Sequence, residues 1–171
     1  MENSEFGEAF DDDERRLRGA ILTEPIEPLI AGPPVTVPLD ATLQEAVKKL
    51  QEKHIGCVLV VGEDGKLAGI FTERDLLTKI VGRPVDLARA QVADHMTVEP
   101  ETLRADDKVA WALNKMQLGG FRHVPIVDAG GRPIGVVSVK DIVEFIVELF
   151  PAAVLNLPPE PAQFPTMIDG G

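Results

Sequence analysis

Apolar residues recur at helical spacing in two separate parts of the chain. Each set occupies positions i, i+3, i+4 and i+7, which places its members on one face of an amphipathic helix. The two sets are Leu43, Ala46, Val47 and Leu50, and then Val109, Ala112, Leu113 and Met116. Asp40 and Asp106 precede these stripes and are predicted to cap the two helices.

Each predicted helix is followed by the pattern of a β-hairpin and then by a second helix. Short β-branched runs predict first strands, and glycine-containing turns lead from them into second strands. The second helix is predicted to begin at Thr72 or Ser138 and to end near Gly82 or before Pro151. The predicted strands are 57–61 and 66–71 in one half and 123–127 and 132–137 in the other, with short extended pieces at 35–37 and 101–103.

The two halves of this pattern are copies of one another. Residues 36–81 align with residues 102–147 at a constant offset of 66, and twelve of these 46 positions are identical. The run at 69–75 reads GIFTERD and returns at 135–141 as GVVSVKD. A chance motif match would not keep its register over such a length, so the chain contains an internal duplication.

The duplication predicts an α+β fold of two β-α-β-β-α repeats packed about a pseudo-twofold axis. A unit of roughly 50 residues seldom buries enough apolar surface to fold alone. Two prolines in the run EPIEPL, which opens repeat 1 where repeat 2 has DHMT, exclude a regular helix interior there. The predicted organisation is an acidic, disordered tail at 1–20, repeat 1 at 21–82, a linker at 83–93, repeat 2 at 94–150 and a proline-rich tail at 151–171.

Two segments outside this scheme bear on partners. The proline-rich tail either hangs loose or lies across the body or a second subunit, and the sequence leaves both open. The second helix of repeat 2 is apolar around most of its circumference, which is more than one core-facing side requires. Homodimerisation is the simplest explanation of the additional apolar residues. Trp111, on the first helix of repeat 2, is interpreted as a core or interface residue.

Composition and charge then exclude several classes of protein. The 171 residues are 44% apolar and carry a formal charge of −11, without a basic stripe, so no nucleic acid partner is expected. The single cysteine, Cys57, excludes internal disulfides and a cysteine-built zinc site. No apolar run approaches the roughly 18 residues that cross a bilayer, and the acidic start lacks the pattern of a signal peptide. We therefore expect a cytoplasmic protein without membrane contact.

Candidate chemistry lies where each hairpin runs into its second helix. Thr72 stands three residues before Asp75, and Ser138 stands three residues before Asp141. This is the spacing of a capping box, and a purely structural role is one interpretation. A nucleotide site is the other, because a carboxylate accepts hydrogen bonds from both ribose hydroxyls and a helix N-terminus favours phosphate.

Two neighbouring positions favour the nucleotide interpretation. A basic residue, Arg74 or Lys140, adjoins the aspartate in each copy and suits a phosphate group. Gly69 and Gly135 stand three residues before the hydroxyls and let another backbone or a flat ligand come close.

These motifs resemble those of tandem CBS domains, regulatory modules named after cystathionine β-synthase. The matching features are Gly-x-x-Thr/Ser-x-x-Asp in both copies, the strand run RHVPIVD at 122–128 and DHMT at 94–97, within about residues 21–149. The resemblance implies two repeats paired into a disc with two clefts, and discs that often associate into dimers. It also implies ligands such as AMP, ADP, ATP or S-adenosylmethionine, and the sequence leaves open whether Mg²⁺ accompanies them.

The resemblance further implies which residues contact the ligand. Asp75 and Asp141 would hold ribose hydroxyls, and Thr72 and Ser138 would touch the first phosphate. The base would be lined by Thr36, Val37, Thr102 and Leu103, and the walls would come from 55–58 and 121–125, including Cys57, Val58, Arg122, His123, Val124 and Pro125.

The two clefts are not expected to be equal. Family members often contact phosphates at the positions of Arg122 and His123, whereas repeat 1 has Gly56 and Cys57 there. The cleft with Asp141 is therefore predicted to bind a phosphorylated nucleotide more tightly than the cleft with Asp75.

The sequence thus predicts a non-enzymatic sensor that binds an adenine nucleotide and reports its occupancy to an unknown downstream protein. The alternative is an assembly scaffold that forms homodimers and has vestigial clefts. No nucleophile–base pattern is visible, so no catalytic residue is predicted. His54 and Cys57 offer two ligands where closed metal sites use four, so no metal site is predicted.

Overall fold

The structure of the protein is a computed structural model that describes residues 15–149. Within this range the chain forms five helices and six short strands. The helices are α1 (15–23), α2 (Leu43–Lys53), α3 (Glu73–Asp75, continued by a π-helical turn at Leu76–Ile80), α4 (Val109–Gly119) and α5 (Val139–Leu149). The strands are β1 (Thr36–Pro38), β2 (Cys57–Val61), β3 (Leu67–Thr72), β4 (Thr97–Val98), β5 (His123–Val127) and β6 (Pro133–Ser138).

The observed elements follow the predicted order closely. Strands β2 and β5 have the predicted bounds, while β3 and β6 each begin and end one residue later. Residues 15–20, which the sequence analysis assigns to the disordered tail, are helical as part of α1. Residues 1–14 and the proline-rich tail lie outside the described residues.

The hairpin β2–β3 and the hairpin β5–β6 have the same register. Cys57 pairs with Thr72 in repeat 1, and His123 pairs with Ser138 in repeat 2. An irregularity precedes the last residue of β2 and, at the equivalent place, the last residue of β5. The copies therefore share backbone geometry as well as sequence, and the α+β duplication is confirmed.

The residues before α2 and α4 correct the predicted helix caps. The N-cap of α2 is Thr42, whose hydroxyl accepts a hydrogen bond from the backbone of Glu45 at 3.2 Å, and Glu45 bonds back to Thr42. The N-cap of α4 is Lys108, which makes no side-chain cap bond. Asp40 and Asp106 are thus not the caps, because each lies two residues before the N-cap, the position from which a side chain reaches the first helical turn.

The segment that leads into each repeat packs on the other repeat. We call residues 24–35 lead segment 1 and residues 90–101 lead segment 2. The N–H of Ile26 donates to the carbonyl of Asp107 at 2.8 Å, and the equivalent Val92 donates to Ala41 at 2.8 Å. In lead segment 2, β4 pairs antiparallel with β3 of repeat 1. The hydrogen bonds of Ile26 and Val92 are symmetric under the 66-residue offset and confirm the pseudo-twofold arrangement, while the β3–β4 pairing has no counterpart among the described residues of repeat 2.

The second proline of the run EPIEPL is accommodated in a short 3₁₀ turn. The turn spans Glu27–Leu29 with Pro28 inside it, and lead segment 2 forms a similar turn at Val92–Asp94. Because a proline near the start of a turn needs no N–H partner, the departure from repeat 2 leaves the path of the chain intact.

The hydrophobic core reflects this exchange. Ile26 and Leu29 of lead segment 1 lie in the core of repeat 2, and Val92 of lead segment 2 lies in the core of repeat 1. A smaller cluster of Cys57, Leu59 and Ile70, with Val136 packed against it, joins the two hairpins. Trp111 is 56% exposed and therefore does not belong to the core. None of the helices within residues 15–149 combines the length and hydropathy needed to cross a membrane.

Gly69 and Gly135 are contacted by the exchanged lead segments. A Cβ built at Gly69 would overlap the side chain of Met96, and a Cβ at Gly135 would overlap the side chain of Ile30. Met96 and Ile30 are themselves related by the offset of 66. The close approach predicted for these glycines is therefore made by side chains of the other repeat.

Candidate functional site

Two clefts lie between the repeats, and each joins the start of a second helix to the lead segment of the other repeat. The Asp75 cleft has a volume of about 370 Å³. The Asp141 cleft has a volume of about 740 Å³. Both volumes fall in the range of small-molecule sites.

The walls of the two clefts are related by the pseudo-twofold axis. Lead segment 2 borders the Asp75 cleft with residues 97 and 99–101, and lead segment 1 borders the Asp141 cleft with residues 31–35. The opposite wall of the Asp75 cleft is Phe121–His123 from repeat 2, and that of the Asp141 cleft is His54–Cys57 from repeat 1. Each cleft is thus assembled from both repeats.

Both aspartates are held at their helix starts in the same way. Oδ2 of Asp75 accepts hydrogen bonds from the Thr72 backbone at 2.9 Å and from its hydroxyl at 2.7 Å. Oδ2 of Asp141 accepts the same two bonds from Ser138, at 2.6 and 2.7 Å. The predicted capping boxes are therefore real, and both aspartates also face the clefts, so the two interpretations of the motif are compatible.

The second oxygen of each aspartate has different surroundings. Oδ1 of Asp75 lies 2.7 Å from Nζ of Lys79, one helical turn further on. The offset of 66 places Phe145 at the corresponding position in repeat 2. Within residues 15–149, no hydrogen-bond donor or cation is bound to Oδ1 of Asp141.

The basic residues are distributed differently from the prediction. Arg122 and His123 line both clefts, so their presence in repeat 2 does not distinguish the two. The Arg74 guanidinium donates to the carbonyl of Gly120 at the edge of the Asp75 cleft. The Lys140 ammonium binds Glu144, which raises the pKa of Lys140.

His123 and Cys57 occupy equivalent strand positions near the axis, and burial shifts the pKa of both. Burial, and next the Arg122 charge, lower the pKa of His123. Burial, and next the charges of Asp141 and Glu73, raise the pKa of Cys57 to about 12. At neutral pH both groups are therefore uncharged next to the clefts.

Most of the predicted contact residues border a cleft, but one group does not. The residues placed at a cleft are Cys57, Thr72, Arg74, Asp75, Arg122, His123, Ser138, Lys140 and Asp141. The residues outside both linings are Thr36, Val37, Val58, Thr102, Leu103, Val124 and Pro125. Of these, Val37, Val58, Leu103 and Val124 are core residues, because their strand positions face the interior.

The sequence analysis missed the residues just before those strands. Residues 31–35, 97 and 99–101 contribute to the cleft walls, and Pro33, Pro34 and Pro100 are among them. The prolines were a usable signal, since they mark extended chain that forms no sheet ladder. Within residues 15–149, no group of three or more potential ligands is arranged to hold a metal ion.

Comparison with known proteins identifies the family. The profile of the CBS domain matches residues 26–82 and 92–148, which are the two repeats with most of their lead segments. The chain belongs to the CBS domain family. Among CBS relatives, the mitochondrial CBS domain-containing protein CBSX3 of Arabidopsis thaliana is 38% identical over 112 residues, covering 63% of this chain and 54% of CBSX3.

Solved CBS structures share the fold. The CBS domain protein PAE2072 from Pyrobaculum aerophilum, complexed with AMP, has a TM-score of 0.67 at 28% identity, covering 73% of this chain and 97% of that one. The CBS domain pair of MJ0100, in complex with 5′-methylthioadenosine and S-adenosyl-L-methionine, has a TM-score of 0.67 at 26% identity, covering 74% and 98%. The matched region spans 65% of the length of an uncharacterised Acidianus ambivalens relative and 20% of an Arabidopsis one.

Proposed function

We propose that this CBS pair is a non-enzymatic regulatory module that binds an adenosyl ligand between its repeats. The observation that carries the proposal is the Asp141 cleft, where a carboxylate oriented by Ser138 faces the lead segment of the other repeat. CBS pairs of similar structure were solved with AMP, S-adenosylmethionine and methylthioadenosine, so an adenosyl group is the ligand chemistry that the comparisons support.

The cleft residues offer complementary chemistry to each part of such a ligand. The Asp141 carboxylate is an acceptor for ribose hydroxyls. Ser138 at the start of α5, together with Arg122 and Lys140, suits a phosphate or another anionic group. The apolar residues Val35, Ile55 and Val136 border the same cleft and suit the faces of a purine ring.

The arrangement also indicates how occupancy would be signalled. A ligand that contacts α5 of repeat 2 and lead segment 1 of repeat 1 favours one relative orientation of the repeats. Binding then shifts the population toward that orientation by the difference in affinity between the two states. A downstream protein that contacts the outer helices would sense the shift.

A screen of thermal stabilisation tests the proposal. The purified protein is heated with AMP, ADP, ATP, S-adenosylmethionine or GTP, each with and without Mg²⁺. We expect stabilisation by adenosyl compounds, amounting to roughly 2.7 kcal/mol at 100 times Kd, and we expect Asp141→Ala to lose it. Asp106→Ala is the matched control, because the Asp106 side chain is 86% exposed and lies outside both clefts.

A second candidate function is assembly through the helices α3 and α5. Leu77 on α3 is 66% exposed, Val143 at the equivalent place on α5 is 51% exposed, and Val81 beyond α3 is 60% exposed. Such paired apolar positions suit a homodimer interface. The same screen separates the candidates: a scaffold with vestigial clefts gains no stability from any millimolar adenosyl compound, provided the preparation carries no nucleotide absorbance near 260 nm.

A further inference from the structure

Asp75 is unusual among the charged residues of the described chain. It is the one charged or polar side chain within residues 15–149 that is buried, with 8% of its surface exposed. A buried carboxylate needs partners for its acceptor positions, since burial without them is costly. Thr72 supplies two hydrogen bonds to Oδ2, and Lys79 supplies an ion pair to Oδ1.

Lys79 also binds the lead segment that closes the Asp75 cleft. Its ammonium donates to the carbonyl of His95 at 2.8 Å and approaches the carbonyl of Met96 at 3.4 Å. Its three N–H donors are therefore all directed at acceptors: one carboxylate of repeat 1 and two backbone carbonyls of lead segment 2. Lys79 thus ties Asp75 to lead segment 2 just before the residues of that segment that line the cleft, 97 and 99–101.

Counting acceptor positions shows how far the two aspartates differ. A carboxylate has about four acceptor positions, and a ribose diol needs two of them. Asp75 has three engaged, two by Thr72 and one by Lys79. Asp141 has two engaged, both by Ser138, and Phe145 in place of a lysine cannot donate to the others. Asp141 can therefore accept both ribose hydroxyls, whereas Asp75 must first release Lys79.

We propose that Lys79 is the specificity-determining residue that closes the Asp75 cleft to an adenosyl ribose and leaves the Asp141 cleft as the single adenosyl site. This inference rests on the proposed function, because it assumes that Asp141 binds a ribose. It assigns the difference between the clefts to Lys79 instead of Arg122 and His123, which line both. The Asp75 cleft also has the smaller volume, about 370 Å³ against about 740 Å³ for the Asp141 cleft.

Binding stoichiometry tests the inference, with AMP as the probe in titration calorimetry. The wild-type chain binds one AMP, and Asp141→Ala binds none. Lys79→Met keeps the length of the side chain and removes the cation, so it binds two AMP, the new site at least tenfold tighter than any residual wild-type binding there. Lys49→Met is the matched control, because Lys49 also donates to a part-buried backbone carbonyl, that of Thr36, and lines neither cleft; this variant binds one AMP.

A reciprocal variant keeps the test decisive if Lys79→Met does not fold. Phe145→Lys places a lysine where repeat 1 has Lys79, within reach of Oδ1 of Asp141. It weakens AMP binding at least tenfold, whereas Phe145→Met, similar in length but uncharged, leaves the affinity within twofold of wild type. The analogue 2′,3′-dideoxy-AMP lacks the diol and loses binding at either aspartate.

The outcomes separate this inference from the function on which it rests. Two wild-type sites of similar affinity, or a folded Lys79→Met that still binds one AMP, overturn the role of Lys79 and leave adenosyl binding intact. If wild type and all variants bind no AMP, and the preparations are free of copurified nucleotide, both the role of Lys79 and the proposed adenosyl binding are overturned.

Discussion

At the scale of single residues, position in the repeat does not decide what a side chain does. Asp75 and Asp141 are equivalent in sequence and have the same capping geometry, yet one is paired with Lys79 and the other is not. His123 and Cys57 are equivalent too, and both are kept neutral by burial. The chemistry of each residue follows from neighbours that the repeat pattern does not include.

His123 makes the stability of the protein depend on pH. Its folded pKa is lower than the value of about 6.5 in the unfolded chain, so the unfolded state binds the proton more readily. Folding excludes a proton that the unfolded chain binds at His123, and this lowers the free energy of unfolding. The loss is absent above the unfolded pKa of His123 and grows as the pH falls through that value toward the folded pKa. We therefore expect His123→Gln to lose less free energy of unfolding than wild type between about pH 7.5 and pH 5.5.

Urea unfolding at the two pH values measures this difference, and an NMR titration of the imidazole gives its midpoint directly. A midpoint at or above the ordinary histidine value would contradict the prediction. Equal pH dependence of wild type and His123→Gln would do the same.

At the scale of elements, local sequence predicts the four hairpin strands well and the helix starts less well, and β4 is not among the predicted strands. The β-branched runs of β2 and β5 had the observed bounds because strand, turn and strand signals reinforce one another locally. The caps were misassigned because several polar residues precede α2 and α4. Asp107 illustrates this, since its carboxylate accepts from the backbone of Arg104 in a turn instead of capping α4.

The unequal caps of α2 and α4 lead to a stabilising substitution. Lys108 occupies the N-cap of α4 without a side-chain bond, while the equivalent Thr42 forms a capping box. Lys108→Thr should raise the free energy of unfolding by about 1 kcal/mol, because the hydroxyl of the new threonine can accept a hydrogen bond from a backbone N–H in the first turn of α4. Thr42→Ala should lower it by about the same amount. Urea unfolding of both variants tests the pair, and a Lys108→Thr protein no more stable than wild type would refute the account.

At the scale of the whole molecule, the exchanged lead segments make the two repeats one unit. Lead segment 1 belongs in sequence to repeat 1 but fills the core of repeat 2, and lead segment 2 does the reverse. Neither repeat therefore contains all the residues that complete its own core. The clefts depend on the same exchange, because each takes one wall from the lead segment of the other repeat.

Unfolding of the two repeats should accordingly be a single transition. Ile26 is fully buried in the core of repeat 2, and Ile26→Ala should lower the free energy of unfolding by about 2–5 kcal/mol. Trp111 fluorescence reports on repeat 2, and far-UV circular dichroism reports on the whole chain. The urea unfolding curves from these two probes should coincide for wild type and for Ile26→Ala. Leu118→Ala is the control, since Leu118 is 80% exposed. Separate transitions for the two probes would show that the repeats unfold independently.

The sequence by itself determined the duplication, the α+β repeat, the family, and the aspartate and hydroxyl that face each cleft. These follow from periodicity and from short-range spacing, which act within about one helix or hairpin. Only the tertiary structure decided which residues form the cleft walls. It also decided that Arg122 and His123 line both clefts and that Lys79 forms an ion pair with Asp75. These features arise from contacts across the pseudo-twofold axis, and a repeat pattern carries no information on which copy supplies the opposite wall.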